Sequence, residues 1–205
     1  MFISFEGIDF CGKSTQIELL EKYLKRKGKK VKVIREPGGT EISEKIRTIL
    51  LDKENSGMYM ETEFLLFSAS RSQLVREKIK PYLEKGFYVI SDRFHDSSTA
   101  YQGYGRGIPI EVILNIHKLA IGNTIPDVTF FIDIPVEVAE QRRQEKSLKL
   151  LDRIENSDGE FYSKVREGYL ELANSSDRFK VINGMQDIET IHSRIIKEIE
   201  KIEQR

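Results

Sequence analysis

The segment Gly7-Ile8-Asp9-Phe10-Cys11-Gly12-Lys13-Ser14 fits the pattern G-x-x-x-x-G-K-[ST], and no other feature limits the possible folds so tightly. Such a loop works only between a buried strand and the N-terminus of a helix. The apolar run Phe2-Ile3-Ser4-Phe5 precedes it, and a long amphipathic stretch from Thr15 follows, so the surroundings suit it. Glycine at positions 7 and 12 permits backbone dihedrals that turn successive amide N–H groups toward one concave point. The helix dipole adds positive potential there. Lys13 brings a mobile charge to β- and γ-phosphates, and the Ser14 hydroxyl is placed to ligate Mg²⁺. Gly7, Ile8, Asp9, Phe10, Cys11, Gly12, Lys13, Ser14 and Thr15 are therefore expected to hold a nucleoside triphosphate.

The rest of the chain has the rhythm such a loop requires. Strands are expected at Phe2–Phe5, Val31–Arg35, Phe87–Ser91, Val128–Asp133 and Phe179–Ile182, with helical stretches between them. That alternation is the signature of βαβ units around a parallel sheet. The runs Phe87–Ile90 and Val128–Ile132 are continuously apolar, as strands covered on both faces are. Gly28 and Gly86 end helical patterns just before strands and read as helix C′ residues. From Asp187 to Arg205, isoleucines recur at helical spacing, so the tail reads as a docking helix. The fold expected is α/β, a three-layer α/β/α sandwich around a five-stranded parallel sheet.

Length and charge narrow the class. The 205 residues fit a single domain spanning 1–205. Lys plus Arg and Asp plus Glu both number 33, which argues against a broad electrostatic footprint for nucleic acid. Any positive charge that matters must be local. The single cysteine, Cys11, excludes a disulfide framework and fits a reducing cytoplasm. The chain enters a core strand at once, so no signal peptide is expected, and no apolar stretch reaches membrane-spanning length.

A phosphate loop alone serves switches, motors, transporters and kinases. No N-K-x-D guanine-reading motif is present. Arginines stand instead at separate places: Arg35, Arg47, Arg71, Arg93, Arg106, Arg142, Arg143 and Arg153. Their planar forks suit phosphate, so a second phosphate-bearing substrate and a phosphoryl transfer are expected. Phe67 and Arg71 are four apart and share a helix face, where a ring and a guanidinium can stack a pyrimidine and donate to its O4. Ser98 and Gln102 share the same spacing and could meet the N3 edge if Ser97–Gln102 is helical. His95, His117 and His192 lack metal-ligand spacing, and His117 reads as structural.

Several segments together resemble the thymidylate kinase family of P-loop nucleoside monophosphate kinases. They are Phe5-Glu6-Gly7-Ile8-Asp9 through Ser14-Thr15-Gln16, then Arg35-Glu36-Pro37-Gly38-Gly39-Thr40, then Leu66-Phe67-Ser68-Ala69-Ser70-Arg71. Asp92-Arg93-Phe94 leading to Ser97-Ser98-Thr99-Ala100-Tyr101-Gln102-Gly103, and Leu151-Asp152-Arg153-Ile154-Glu155, complete the set in order. The resemblance is to the bacterial branch, because Phe10 stands where the eukaryotic branch has arginine. That branch keeps its basic residues in a lid, here about 141–155.

The resemblance implies the reaction ATP + dTMP → ADP + dTDP, in dTTP biosynthesis, by a cytoplasmic homodimer using Mg²⁺, with neither nucleic acid nor membrane as partner. An anionic phosphate oxygen is already a competent nucleophile, so positioning and charge neutralisation should suffice. Asp92, at the end of a strand, would hold the metal with Ser14, and Arg93 and Arg47 would clamp the monophosphate. Asp9 would face Mg²⁺ or the sugar 3′-hydroxyl, with Tyr101 packed where a ribose 2′-hydroxyl would sit. Glu36 would orient an arginine or the sugar. Arg142, Arg143, Lys146, Lys149 and Arg153 form a local basic cluster, in which Arg153 would reach the transferring phosphate and Arg143 would cover the adenine. The alternatives are a kinase for another nucleotide or nucleoside, and a non-catalytic nucleotide-binding module.

Overall fold

The computed structural model describes residues 1–145, 151–155 and 157–204. Strands β1 (Phe2–Glu6), β2 (Val31–Arg35), β3 (Tyr88–Asp92), β4 (Val128–Asp133) and β5 (Phe179–Asn183) form one all-parallel sheet. Its order is β2-β3-β1-β4-β5, with Phe2 beside Val89 on one flank of β1 and Ile3 beside Val128 on the other. The expected strands are all present, with small shifts at their ends. β1 runs one residue further than its apolar pattern, through Glu6, because that carboxylate finds hydrogen-bond donors inside the fold. Central β1 is buried at every position, whereas edge strand β2 exposes Lys32 and Val33.

Between the strands lie α1 (Lys13–Arg26), α2 (Glu41–Leu51), α3 (Met60–Leu74), α4 (Lys80–Glu84) and α5 (His95–Ser98). Helices α6 (Ile110–Ile121), α7 (Val136–Glu145), α8 (Gly159–Ser175) and α9 (Ile188–Glu203) follow. One helical layer is α1 against α9; the other gathers α3, α6, α8 and the segment after α5. Burying Ile17, Leu20 and Leu24 of α1 with Ile191, Ile195 and Ile199 of α9 contributes about 1.5–3 kcal/mol per side chain. Asp187 starts α9 by accepting a 2.9 Å bond from the Thr190 amide. Gly28 and Gly86 follow the ends of α1 and α4 with φ of 76° and 73°, the left-handed conformation that suits C′.

Two details of this frame shape the site. The chain steps from β1 to one flank of the sheet and later crosses from β3 to β4 on the other, so the loop after β1 lies at the topological switch point. Ligands of open α/β sheets bind in that crevice. The second detail is that α5 continues into a π-helical turn, Thr99–Gly105, and α8 packs directly on it. A Cβ on Gly168 of α8 would lie 2.7 Å from the Tyr104 ring, so only glycine permits this approach. Among the described residues, no helix is long and apolar enough to cross a membrane.

Candidate active site

The phosphate loop takes its shape from steric necessity. Gly7 has φ 139°, and a Cβ there would sit 2.6 Å from the Ile132 carbonyl oxygen of β4. Gly12 has φ 101° and leads directly into α1. Lys13 is buried, and its Nζ donates to the carbonyls of Gly7 and Ile8 at 3.0 Å each. Gly7 and Ile8 thus form the floor of the loop, while Asp9 through Thr15 line a cleft of about 380 Å³.

Directly against the loop stands Arg93, one residue past β3, with a left-handed φ of 68°. Its Nη1 donates to the Gly7 carbonyl at 2.8 Å, to Ser97 Oγ at 3.2 Å and to the Tyr169 hydroxyl at 3.2 Å. Its Nη2 donates to Asp9 Oδ1 at 2.6 Å and to the Tyr101 hydroxyl at 3.0 Å. The hydroxyls of Tyr101 and Tyr162 donate to Asp9 Oδ2 at 3.1 and 3.3 Å. Burial alone would raise the Asp9 carboxyl, but Arg93 and Lys13 outweigh it and hold the group below its ordinary value. A carboxylate within a phosphate loop is tolerable here because it is paired.

The far end of the cleft belongs to α3, α5 and the π turn. Phe67 and Arg71 share a face of α3, as their spacing implies, and both line the cleft with Ser98, Tyr101 and Gln102. Arg71 is buried; its Nε donates to Glu36 at 2.6 Å and its Nη2 to Ser98 Oγ at 3.0 Å and the Phe94 carbonyl at 3.3 Å. Its Nη1 is buried without a partner among the described residues. Arg47 reaches the cleft from α2, held by a 2.8 Å bond to the Pro37 carbonyl. Thr40 caps that helix by accepting from the Ser43 amide at 3.1 Å, which follows from the Thr-x-x-Ser sequence.

Ser14 and Asp92 line this cleft and also a second cavity behind it, so a hydroxyl and a strand-end carboxylate share one wall. These are hard oxygen donors of the kind Mg²⁺ takes.

The basic cluster divides. Arg142 on α7 donates to the Phe10 carbonyl at 3.2 Å and to the Gly184 carbonyl at 3.4 Å, tying α7 to the phosphate loop. Arg143 lines a small neighbouring cavity beside Phe10 and Tyr162 and donates to the Glu155 carbonyl at 3.0 Å. Arg153, expected at the transferring phosphate, is not on the cleft wall. It pairs with the buried carboxylate of Glu63 at 2.7 Å and donates to the Leu50 carbonyl at 2.9 Å. A buried anion and a helix-end carbonyl hold it away from the phosphate loop. Lys146 and Lys149 lie outside the described residues.

Some contributors had no role in the sequence reading. Glu6 is fully buried and accepts from the Phe94 amide at 2.7 Å, Ser97 at 2.6 Å, Ser4 at 2.9 Å and Tyr169 at 3.0 Å. It braces the residues that hold Arg93, and burial pushes its carboxyl up to about 7. Its one sequence signal was an acidic residue closing an apolar strand. Glu63 gave no signal, because its partners Gln102, Arg106 and Arg153 lie far along the chain. His117 is buried at hydrogen-bonding distance from Thr99, as a structural residue would be.

A phosphate loop at the switch point of a parallel sheet, facing an aromatic and cationic compartment, defines a P-loop α/β nucleotide-binding protein. The family model for thymidylate kinase matches residues 5–195. The chain is 51% identical over 201 residues to a thymidylate kinase of Caldanaerobacter subterraneus subsp. tengcongensis, covering 98% of this chain and 95% of that one. It is 50% identical to the Thermosipho africanus thymidylate kinase, covering 98% of each. The crystal structure of thymidylate kinase from Ehrlichia chaffeensis superposes with a TM-score of 0.79 at 36% identity, over 97% of this chain and 98% of that one. The chain belongs to the thymidylate kinase family.

Proposed function

We propose that this chain transfers the γ-phosphoryl group of ATP to the 5′-monophosphate of dTMP, giving ADP and dTDP in dTTP biosynthesis. The observation that carries the reading is the meeting, in one cleft, of the phosphate loop and the Phe67–Arg71 compartment, with Arg93 between them. Loop amides and Lys13 bind the β- and γ-phosphates. Arg93 and Arg47 hold the acceptor phosphate in line, and its own anionic oxygen attacks. No free general base is required, and Asp9 and Glu36 are both paired with arginines. Phe67 stacks the pyrimidine and the remaining Nη1 of Arg71 donates to its O4. Tyr101, packed at Asp9 and Arg93, fills the 2′ side of the sugar.

Ser14 and Asp92 would hold Mg²⁺, whose charge offsets that of the β- and γ-phosphates when bound. Residues 1–205 act as one kinase domain, with about 141–155 serving as the lid. Arg142 and Arg143 serve the ATP side of that lid, supported by the bond from Arg142 to the loop. Exposed Leu65, Val112 and Leu119 on α3 and α6 support a homodimer, which light scattering tests. The free, buried thiol of Cys11 suits the cytoplasm.

A coupled assay of ADP release with dTMP, dUMP, dCMP, dGMP and AMP tests the function. Strong stimulation by dTMP is expected. Preference for another monophosphate would make it a different kinase, and hydrolysis indifferent to all five would make it a nucleotide-binding module.

A further inference from the structure

Gln102 lines the cleft beside Phe67 and Arg71, but its amide is not free to choose which atom it offers. A glutamine amide has one accepting oxygen and one donating nitrogen, and only its partners decide which points where. Here Nε2 donates to Glu63 Oε1 at 2.9 Å. Glu63 is 1% exposed, and two guanidinium groups also hold its carboxylate. Arg153 pairs with Oε2 at 2.7 Å and Arg106 with Oε1 at 3.4 Å. Arg106 is in turn held over the Phe161 ring, 4.3 Å from its centroid. A carboxylate in two ion pairs accepts and does not donate. Turning the Gln102 amide over would press two accepting oxygens together in a dry place, so Oε1 is the atom left for a ligand.

From this we infer that Glu63 is a specificity-determining residue: by locking Gln102, it makes the site present an acceptor to position 3 of the pyrimidine. The inference rests on the reading of the cleft as the dTMP site. Thymine and uracil carry N3–H, a donor, and match Oε1. Cytosine has an unprotonated N3, an acceptor, and meets it lone pair to lone pair. Arg71 Nη1 asks for the matching 4-keto oxygen, so the two residues read adjacent atoms. Glu63 touches no substrate and acts through Gln102, which makes it a positioning residue.

The test is kcat/KM for dTMP, dUMP and dCMP in the wild type and in Glu63→Gln, with calorimetric Kd values where turnover is too slow. In the variant, residue 63 keeps its one oxygen on Arg153, the nearer guanidinium at 2.7 Å, gives up the 3.4 Å contact with Arg106, and turns its NH₂ toward Gln102, which then turns its own NH₂ into the cleft. The dTMP:dCMP ratio should fall about tenfold, the scale of one reversed buried hydrogen bond. The dTMP:dUMP ratio should hold, because both bases carry N3–H. Equal losses for all three substrates would mean a merely structural role and overturn the inference. Gln102→Leu should lower the ratio similarly, and Glu63→Gln added to it should change the ratio no further; an additive effect would also overturn it. If Glu63→Gln does not fold, Glu63→Asp retains the charge but draws the acceptor away from Gln102, and an unchanged ratio there refutes the idea. A wild type indifferent to dTMP would instead sink the function reading.

Discussion

The Glu36–Arg71 pair offers a direct test of how the base compartment is held. The two side chains meet at 2.6 Å with exposures of 3% and 1%, so neither charge has water to fall back on. Glu36→Ala leaves a buried guanidinium whose Nε has lost its acceptor. Breaking a buried pair in this way costs about 3–5 kcal/mol, roughly 6–20 °C in Tm for a chain of this size. Calorimetry or urea unfolding reads the loss. The same change frees the fork that faces the pyrimidine, and a misplacement of about 1 Å can cost about 10²-fold, so KM for dTMP should rise well over tenfold while KM for ATP moves little. The double variant Glu36→Met, Arg71→Met replaces the pair with apolar volume and should recover most of the lost stability, because such replacements are often neutral. It should not recover dTMP binding. A single variant within about 1 kcal/mol of the parent, or a double variant no more stable than the single, would refute the argument that this pair anchors the compartment.

Three further outcomes follow from the same geometry. Burial raises Glu6 from 4.5 to about 7, so the folded chain holds that proton more tightly than the unfolded chain does. Its contribution is fully present below about pH 4.5 and is lost as pH rises through about 7, a change of about 3 kcal/mol; Glu6→Gln should flatten that part of the stability–pH curve, and identical slopes would count against it. Arg93→Lys keeps the charge but loses the fork that spans Gly7, Asp9, Ser97, Tyr101 and Tyr169. Turnover should fall about 10³-fold with ATP affinity little changed, and a loss under tenfold in single-turnover kinetics would contradict the assigned role. Gly168→Ala places a Cβ 2.7 Å from the Tyr104 ring and should lower stability by about 1–3 kcal/mol; an unchanged thermal melt would show that α8 and the π turn have slack between them.

What the sequence disclosed and what it withheld differ in physical kind. The phosphate loop, the buried runs of β1 and β4, the isoleucine face of α9 and the C′ glycines are local or periodic, so spacing alone reveals them. Sheet order and the π turn over Thr99–Gly105 carry no such period. The arginines show the limit most clearly. A guanidinium fork fits phosphate and carboxylate equally well, so residue type could not say which arginines face substrate. With 33 basic and 33 acidic residues, many forks must be shared with the protein's own anions. Arg35 pairs with Glu44, Arg71 with Glu36, and Arg106 and Arg153 with Glu63. Of these acids, Glu36 and Glu63 are buried beside the base compartment, while Arg93 crosses to the loop's own Asp9. Where a carboxylate is buried decides whether an arginine grips a ligand or a neighbour, and burial is a property of the fold. The same placement makes the acids informative: Glu6 and Glu63 each stand one contact behind a residue that faces the cleft, Ser97 and Gln102, so substituting them should change how substrate is held without removing any group from its wall, whereas Glu36 lines the cleft itself beside the arginine it holds.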